Sequence, residues 1–452
     1  MLKRTIQSAF ALAVLSAASQ ATDKPNIIVI LADDIGVDCV SYEGDPTSPL
    51  TPRIDSNGYA NPNCSPTRAS LLTGQSAWRL GVGNPIGFGE TDPVGLALTE
   101  PTIASSIDSS YRKVLLGKWH VSDVNQTGGT GSPPVAGAPP LVMGFDRFVG
   151  TWANLNVNNQ SYYDWDQNTD NNPPVQKTGY ITSKTIDDAI LEVLLPAGDD
   201  PLLMVVALHA PHNPWEIPPA NLFPSSMPTA TNRDIFETMI VAMDTEIGRL
   251  VDAVAASDES DNTYIIFLGD NGTASAVIEP QFESFKAKGS AYEGGVNVPF
   301  LVTGPGVVPH VDQGLVSATD IFATVMDLSG TTVGTPPLPP STLDSISLGA
   351  YFAGTAPSQR SVLSVETYGP NGLNPPGGER TTYKRMARDY RYKLMQTRQG
   401  GNFGLMMFDL RANYEESVNL LNGTLTVQQD DSYRALRAHL NSIGNGEYEF
   451  IP

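Results

Sequence analysis

Residues 26–34 read Asn-Ile-Ile-Val-Ile-Leu-Ala-Asp-Asp. The apolar residues form a continuous run and do not alternate with polar ones. The pattern therefore predicts a strand covered on both faces, as in a largely parallel sheet packed between helices. Similar runs follow at Leu202–Leu208, Thr263–Leu268 and, shorter, at Val298–Val302 and Val114–Leu116. Asp234–Ala255 places Ile235, Met239, Met243, Ile247 and Leu250 on one helical side, and Phe322, Met326 and Leu328 predict another helix ending near Gly330. Apolar runs interleaved with helices give an α/β class. Proline and glycine cluster at 128–140, 214–228 and 334–341; the first two are read as long surface loops. Beyond about residue 358 the character changes. Short alternating strands, as at Tyr390–Met395, and a final helix near Ser432–Ser442 predict a smaller α+β domain with an antiparallel sheet. The expected division is 22–357 and 358–452.

The chain has 452 residues, with 48 acidic against 27 basic side chains and a formal charge of −21. Such a surface repels nucleic acid and anionic membranes, so any anion site must be locally basic. Residues 1–21 read as a secretion signal: Lys3 and Arg4, an apolar stretch from Ala9 to about Ala18, then Ser19-Gln20-Ala21 for cleavage. No later segment is long and apolar enough to span a bilayer. The expectation is a secreted or periplasmic protein. Only two cysteines are present, Cys39 and Cys64, so at most one disulfide is available.

Ligands of open α/β sheets bind beyond the carboxyl ends of the strands. The runs end in Asp33-Asp34, in Gly117-Lys118-Trp119-His120, in His209-Ala-Pro-His212 and in Gly269-Asp270-Asn271-Gly272. Each alone reads as a cap, a turn or a solvated loop; together they deliver carboxylates, an amide, imidazoles and a lysine to one edge. Asp33, Asp34, Asp270 and Asn271 form an all-oxygen set, which suits Ca²⁺ or Mg²⁺ over zinc. Of the five histidines, His120, His209 and His212 lie at these ends, whereas His310 and His439 look incidental. In Asn63-Cys64-Ser-Pro66-Thr-Arg68, Pro66 suits a first helical turn. Cys64 would then sit at the helix's positive end with Arg68 one turn on, either as a low-pKa thiol or as the precursor of something else.

These blocks resemble the type I sulfatases of the alkaline phosphatase superfamily. Cys64-Ser-Pro-Thr-Arg68 fits that family's C-x-P-x-R signature, continued by Ala-Ser-Leu-Leu-Thr-Gly74. Leu31–Asp34, Gly117–His120, Ala210–Pro214, Asp270–Gly272, Lys288–Gly295 and Arg385–Leu394 fit further family segments in order, across most of the mature chain. The resemblance implies an alkaline-phosphatase-like large domain and sulfate-ester hydrolysis. By resemblance, Cys64 is oxidised by a maturation enzyme to formylglycine, whose hydrate attacks sulfur with one hydroxyl and expels sulfate with the other. Asp33, Asp34, Asp270 and Asn271, with residue 64, would hold one divalent cation, Ca²⁺ before Mg²⁺. Arg68 would hold the diol, Lys118 the sulfate oxygens, and His120 would assist elimination. His212 and Lys288 would serve the leaving oxygen, and Asp270 is a candidate to take the nucleophile's proton. Lys288 is preferred to Lys286 because of its spacing to Tyr292–Gly295. His209 is a substrate contact or a support. Asn297 stands where many relatives carry arginine. The Asn271-Gly-Thr273 sequon is read as coincidence.

The implied substrate is a sulfated carbohydrate, such as a sulfated polysaccharide, or a small aryl sulfate. The pocket rim is expected from loops near 84–96, 121–176 and 214–232, with Trp152, Tyr162, Tyr163, Trp165 and Trp215 as sugar platforms or loop anchors. The competing readings are a phosphate or phosphonate ester hydrolase of the same superfamily and a non-catalytic sulfated-glycan-binding protein.

Overall fold

This computed structural model describes residues 24–39, 55–86, 95–122, 139–155, 160–195, 200–308, 314–332, 343–372 and 380–443. The signal-like segment 1–21, nearly all of the 128–140 cluster, the 334–341 cluster, much of the 84–96 loop and His310 lie outside them.

The strands are β1 (Asn26–Ala32), β2 (Asp55–Tyr59), β3 (Arg112–Lys118), β4 (Arg147–Thr151), β5 (Asp164–Thr169), β6 (Val175–Thr178), β7 (Leu202–Ala207), β8 (Thr263–Gly269), β9 (Asn297–Thr303), β10 (Val316–Ser317), β11 (Leu363–Gly369), β12 (Thr382–Arg388), β13 (Tyr392–Gln399) and β14 (Asn402–Asp409). The longer helices are α1 (Cys64–Thr73), α2 (Ile181–Leu194), α3 (Asn232–Ala255), α4 (Ile321–Leu328) and α5 (Val427–Ile443).

Ten strands form one sheet in the order β10-β2-β9-β8-β1-β7-β3-β4-β5-β6. Its centre, β8-β1-β7-β3-β4, is parallel, and Val29 of β1 lies between Val205 and Ile266. Alternate residues of β1 enter two different cores. Ile27, Val29 and Leu31 pack with Leu71, Leu72, Phe322 and Val325 of α1 and α4. Ile28 and Ile30 pack with Ile186, Phe236, Met239 and Met243 of α2 and α3. This two-sided covering is why the run carries no polar positions; each such side chain contributes about 1.5–3 kcal/mol on burial.

The largely parallel sheet and the smaller antiparallel one are as expected, with one refinement at the margins and one correction to the loops. The sheet is mixed, because β9 runs against both β8 and β2, and β5 runs against β4 and β6. The chain between β8 and β9 stays at the carboxyl end and re-enters there. A parallel return would need a crossover along a face of the sheet. The 121–176 stretch is also not loop throughout, since it contains β4, β5 and β6. β5 and β6 form the sheet's outer edge, and β6 is exposed at every residue, so no apolar pattern marks it.

The second sheet has the order β11-β12-β13-β14 and is antiparallel. One face carries α5, through Ala387, Leu394 and Met407 against Leu436 and Leu440. The other packs Val365, Met386, Met395 and Phe408 on Tyr59, Val296 and Leu315 beside the large sheet. α5 begins five residues earlier than expected; its first residue, Val427, is 81% exposed, so periodicity is silent there.

Candidate active site

The parallel strands end together, and their carboxyl ends carry the polar residues. Asp270 N–H donates to the Ala32 carbonyl (2.9 Å), and Asp33 N–H to the Ala210 carbonyl (3.1 Å). Asp34 N–H donates to Asp270 Oδ1 (3.2 Å). Asp34 and His120 have φ of 67° and 58°, a left-handed backbone that costs a non-glycine residue about 1–3 kcal/mol and concentrates at functional sites. Cys64 is the first residue of α1, which is buried along its whole length and aims its amino end at this edge.

Asp33, Cys64, Asp270 and Asn271 are fully buried, and Asp34, Arg68, Lys118 and His120 nearly so. Arg68 donates from Nε and Nη2 to Asp270 Oδ2 (3.0 and 2.8 Å) and from Nη1 to the Lys118 carbonyl (2.8 Å). Lys118 pairs with Asp33 and Lys288 with Asp34. Asn271 Nδ2 donates to Asp34 Oδ1 (2.8 Å). Lys286 points elsewhere, to Glu283 and the Glu415 carbonyl.

The three histidines are held differently. His120 Nε2 lies 3.1 Å from the Ile86 carbonyl and Nδ1 lies 3.4 Å from Cys64 Sγ. A neutral ring donating to Ile86 therefore turns its Nδ1 lone pair toward residue 64. His212 Nδ1 is 2.6 Å from the Asn213 carbonyl, with Nε2 4.0 Å from Asp34 Oδ2. His209 Nε2 is 2.7 Å from Thr151 Oγ1, which itself donates to the Ala153 carbonyl (2.9 Å). A recess bounded by Asp33, Asn154, Tyr162, His209 and His212 opens beside them. Among the described residues His439 is remote, against Ser364 on the second sheet.

Burial is the largest influence on each titrating group here, but neighbours decide some signs. Against burial, Lys118, His212, Arg68 and Lys288 hold the Asp33 carboxyl well below the usual carboxylate range. For Asp270, burial and the Asp33 charge outweigh Arg68 and Lys118 and push the carboxyl up to about 6. Burial, with Lys118 and Arg68, pushes the His120 imidazole well down. Burial also pushes the Cys64 thiol up despite Lys118 and Lys288. Of the two readings of this cysteine, the low-pKa thiol is therefore not supported.

Among the described residues two clusters have metal-ligand proximity: Asp33, Cys64 and Asp270, and Asp33, Asp34 and His212, each with ligand atoms within 4.8 Å of one another. Asp33 Oδ1 and Asn271 Oδ1 are buried without a hydrogen-bond partner among the described residues. Unpaired buried oxygens are costly, and a hard cation would satisfy both. The donor set thus fits a divalent cation. Asn271 is inaccessible to glycosylation in the folded chain.

The aromatic residues named above are tied into the fold, with Trp152, Tyr163 and Trp215 half-buried. Tyr162 is fully buried, its hydroxyl 2.8 Å from both the His209 and His212 carbonyls. Tyr163 donates to the Ile217 carbonyl (2.6 Å), Trp165 is buried, and Trp152 packs on Phe148. Trp215 packs against the α2–α3 core. Asn297 donates to Glu293 (2.9 Å) and lies near Tyr59 and Tyr414, in a buried cluster with Arg388 and Lys393. Sequence reasoning gave no site role to Thr151, Ile86 or Thr273, which act through backbone or hydroxyl contacts between segments far apart in the chain.

The family model described as Sulfatase matches residues 25–331. An arylsulfatase of Hemicentrotus pulcherrimus is 28% identical over 347 residues, covering 69% of this chain and 59% of the relative. Human arylsulfatase A is 28% identical over 398 residues, covering 78% and 72%. The chain thus spans about three-fifths to three-quarters of these relatives' lengths. Among solved structures, Ps i-CgsB in complex with k-i-k-neocarrahexaose aligns with a TM-score of 0.73 at 22% identity, covering 94% of both chains. BT4656 in complex with its substrate D-glucosamine-2-N,6-O-disulfate aligns at 0.70 and 18%, covering 94% of this chain and 99% of that one. With the family model spanning both the parallel strands and the Cys64 helix, the chain belongs to the sulfatase family.

Proposed function

We propose that this chain hydrolyses sulfate monoesters to an alcohol or phenol and inorganic sulfate, acting on a sulfated carbohydrate and also on small aryl sulfates. The observation that carries the reading is the buried meeting of three carboxylates, three cations and Cys64 at the strand ends. Asp33, Asp34, Asp270 and Asn271 would hold one Ca²⁺, or less favourably Mg²⁺, with residue 64 completing the set. When bound, the cation supplies Lewis acidity to a sulfate oxygen and to the nucleophile. Formylglycine, made from Cys64 by a maturation enzyme, supplies the nucleophilic hydroxyl and a second hydroxyl for release.

The chain's own residues do the rest. Arg68 fixes Asp270 and, through the Lys118 carbonyl, the end of β3. Asp33, Asp34 and Asp270 balance Arg68, Lys118 and Lys288, so with neutral imidazoles the site is near zero net charge. Those residues would hold a divalent cation with a net charge of about plus two, enough to draw a sulfate monoester's single charge into an acidic protein. With the cation on Asp33 and Asp34, Lys118 and Lys288 would be available to the sulfate oxygens and the leaving oxygen. His120 Nδ1 faces residue 64 at 3.4 Å, and Asp270 also lies within reach of it, so these two are the groups placed to receive a proton there. His212 Nε2 faces the Asp34 side, where Lys288 also lies, which suits protonation of the leaving group. Burial excludes bulk water and strengthens each charge interaction. The carbohydrate class rests on the sulfated sugar named for BT4656 and on the fold shared with it.

The test joins two measurements on protein from its native host. The tryptic peptide Ile54–Arg68 is expected to lose the thiol mass and gain an aldehyde, and 4-nitrophenyl sulfate is expected to turn over faster than 4-nitrophenyl phosphate. Preference for the phosphate would move the reading to a phosphate ester hydrolase. An unmodified cysteine with no turnover would leave a glycan-binding protein.

A further inference from the structure

Thr273 lies two residues beyond Asn271 and is fully buried. Its hydroxyl donates to Asp38 Oδ1 (2.5 Å) and accepts from the Gly36 N–H (3.1 Å). Cys39 Sγ approaches the same oxygen at 3.0 Å. Since the Thr273 proton goes to Asp38, the thiol is the donor in that contact, with Asp38 Oδ1 a second and longer acceptor at 3.7 Å. One hydroxyl thus uses its single proton and both lone pairs. Gly36 follows Asp34 by two residues, so these contacts tie the loop after β1 to the loop after β8. The Thr273 carbonyl adds a third segment, accepting from the Lys288 N–H (2.9 Å).

The surroundings are built around this point. A Cβ at Gly36 would lie 2.7 Å from Asp38 Oδ1 and 2.9 Å from Thr273 Oγ1, so the close approach requires glycine. One at Gly272 would lie 2.1 Å from the Gly294 carbonyl. Asp38 is itself held by the Glu279 N–H (3.1 Å) and by Arg233 of α3 (3.6 Å). Thr273 enters the sequence reading only as the last residue of the sequon set aside above, Asp38 not at all, and neither lines the recess beside His209 and His212.

We infer that Thr273, seated by Asp38 and Gly36, is a positioning residue: its hydroxyl and carbonyl clasp the segments bearing Asp34, Asn271 and Lys288 into one cation-binding geometry. This rests on the metal reading proposed above. Partners behind metal ligands commonly change affinity 10–100-fold when removed. Thr273→Val removes the hydroxyl at nearly constant volume and strands a buried N–H and a carboxylate oxygen. Thr273→Ser keeps the hydroxyl.

The test titrates Ca²⁺ alone into the chelator-stripped full chain by calorimetry, and melts each metal-free protein. Thr273→Val is expected to raise Kd at least tenfold and Thr273→Ser to stay within about threefold of wild type. A residue that only packs would lower the metal-free melting midpoint and leave Kd alone; that result overturns the clasp while the metal reading stands. A wild-type chain that binds no Ca²⁺ overturns both. If Thr273→Val does not fold, Asp38→Asn decides: several-fold weaker binding supports the clasp, and unchanged Kd overturns it.

Discussion

Lys118 has a nonpolar stem, a single charge and no access to water, and its ammonium meets Asp33 in the interior. A buried pair of this kind contributes little net stability, but deleting one partner strands the other. The Lys118→Met chain, with similar volume, is therefore expected to lose about 3–5 kcal/mol in urea unfolding with chelator present. Ca²⁺ should return part of that loss, because a cation on Asp33 replaces the missing charge. Turnover should stay low in both conditions. Equal losses with and without Ca²⁺ would show that the cation does not reach Asp33. The pairing partner of each charge was not legible in the sequence. Lys118, Asp33, Arg68 and Asp270 stood out as charges at strand ends, but which cation meets which carboxylate depends on strand order.

At the scale of elements, the site depends on how closely strands approach. Gly117 in β3 has φ 90°, and a Cβ there would lie 2.0 Å from the Ala207 carbonyl of β7; at Gly150 of β4 it would lie 1.8 Å from the Gly117 carbonyl. Lys118 and His120 follow directly. Gly117→Ala must push β3 off β7 or twist its backbone. It is expected to destabilise by more than about 2 kcal/mol and to lower turnover beyond the loss of folded protein, measured by denaturant unfolding and by activity per folded chain. A neutral substitution would mean that the ends of β3 and β7 have slack. The central strands were readable because two-sided burial removes every polar residue from them. β5 and β6 were not, because β6 is exposed throughout and β5 buries only Trp165 and Asn168, which makes no apolar run. The direction of β9 was equally hidden, since an apolar run looks the same in either orientation.

Across the whole molecule, the two sheets meet around a buried ionic cluster. Lys393 of β13 lies 2.9 Å from Glu293 and 2.8 Å from Glu416, and Arg388 of β12 reaches the same group. Burial and the neighbouring Glu293 charge push Glu416 from 4.5 up to about 7 despite Lys393. Burial alone would also raise Glu293, but Lys393 and Arg388 hold it at about 2. Between pH 4.5 and 7 the folded chain therefore binds a proton at Glu416 that the unfolded chain does not, and this contribution to stability is lost as pH rises. Glu416→Gln is expected to shrink the wild-type loss of stability from pH 5 to 7.5 by up to about 3 kcal/mol, read from unfolding curves at each pH. No difference between the two pH profiles would place Glu416 in its ionised form throughout.

The sequence by itself determined the two-sided central strands, the polar residues at their carboxyl ends, the helix opening at Cys64 and the antiparallel tail. These follow from local burial patterns and from residue chemistry. Only the tertiary structure decided that β9 runs antiparallel, that Asp34 is the carboxylate Lys288 meets, that Arg68 grips Asp270, and that Thr273 joins three segments. Those facts depend on contacts between residues far apart in the chain. Such contacts leave no periodicity or motif behind, because each partner is selected by position in space and not by its neighbours in sequence.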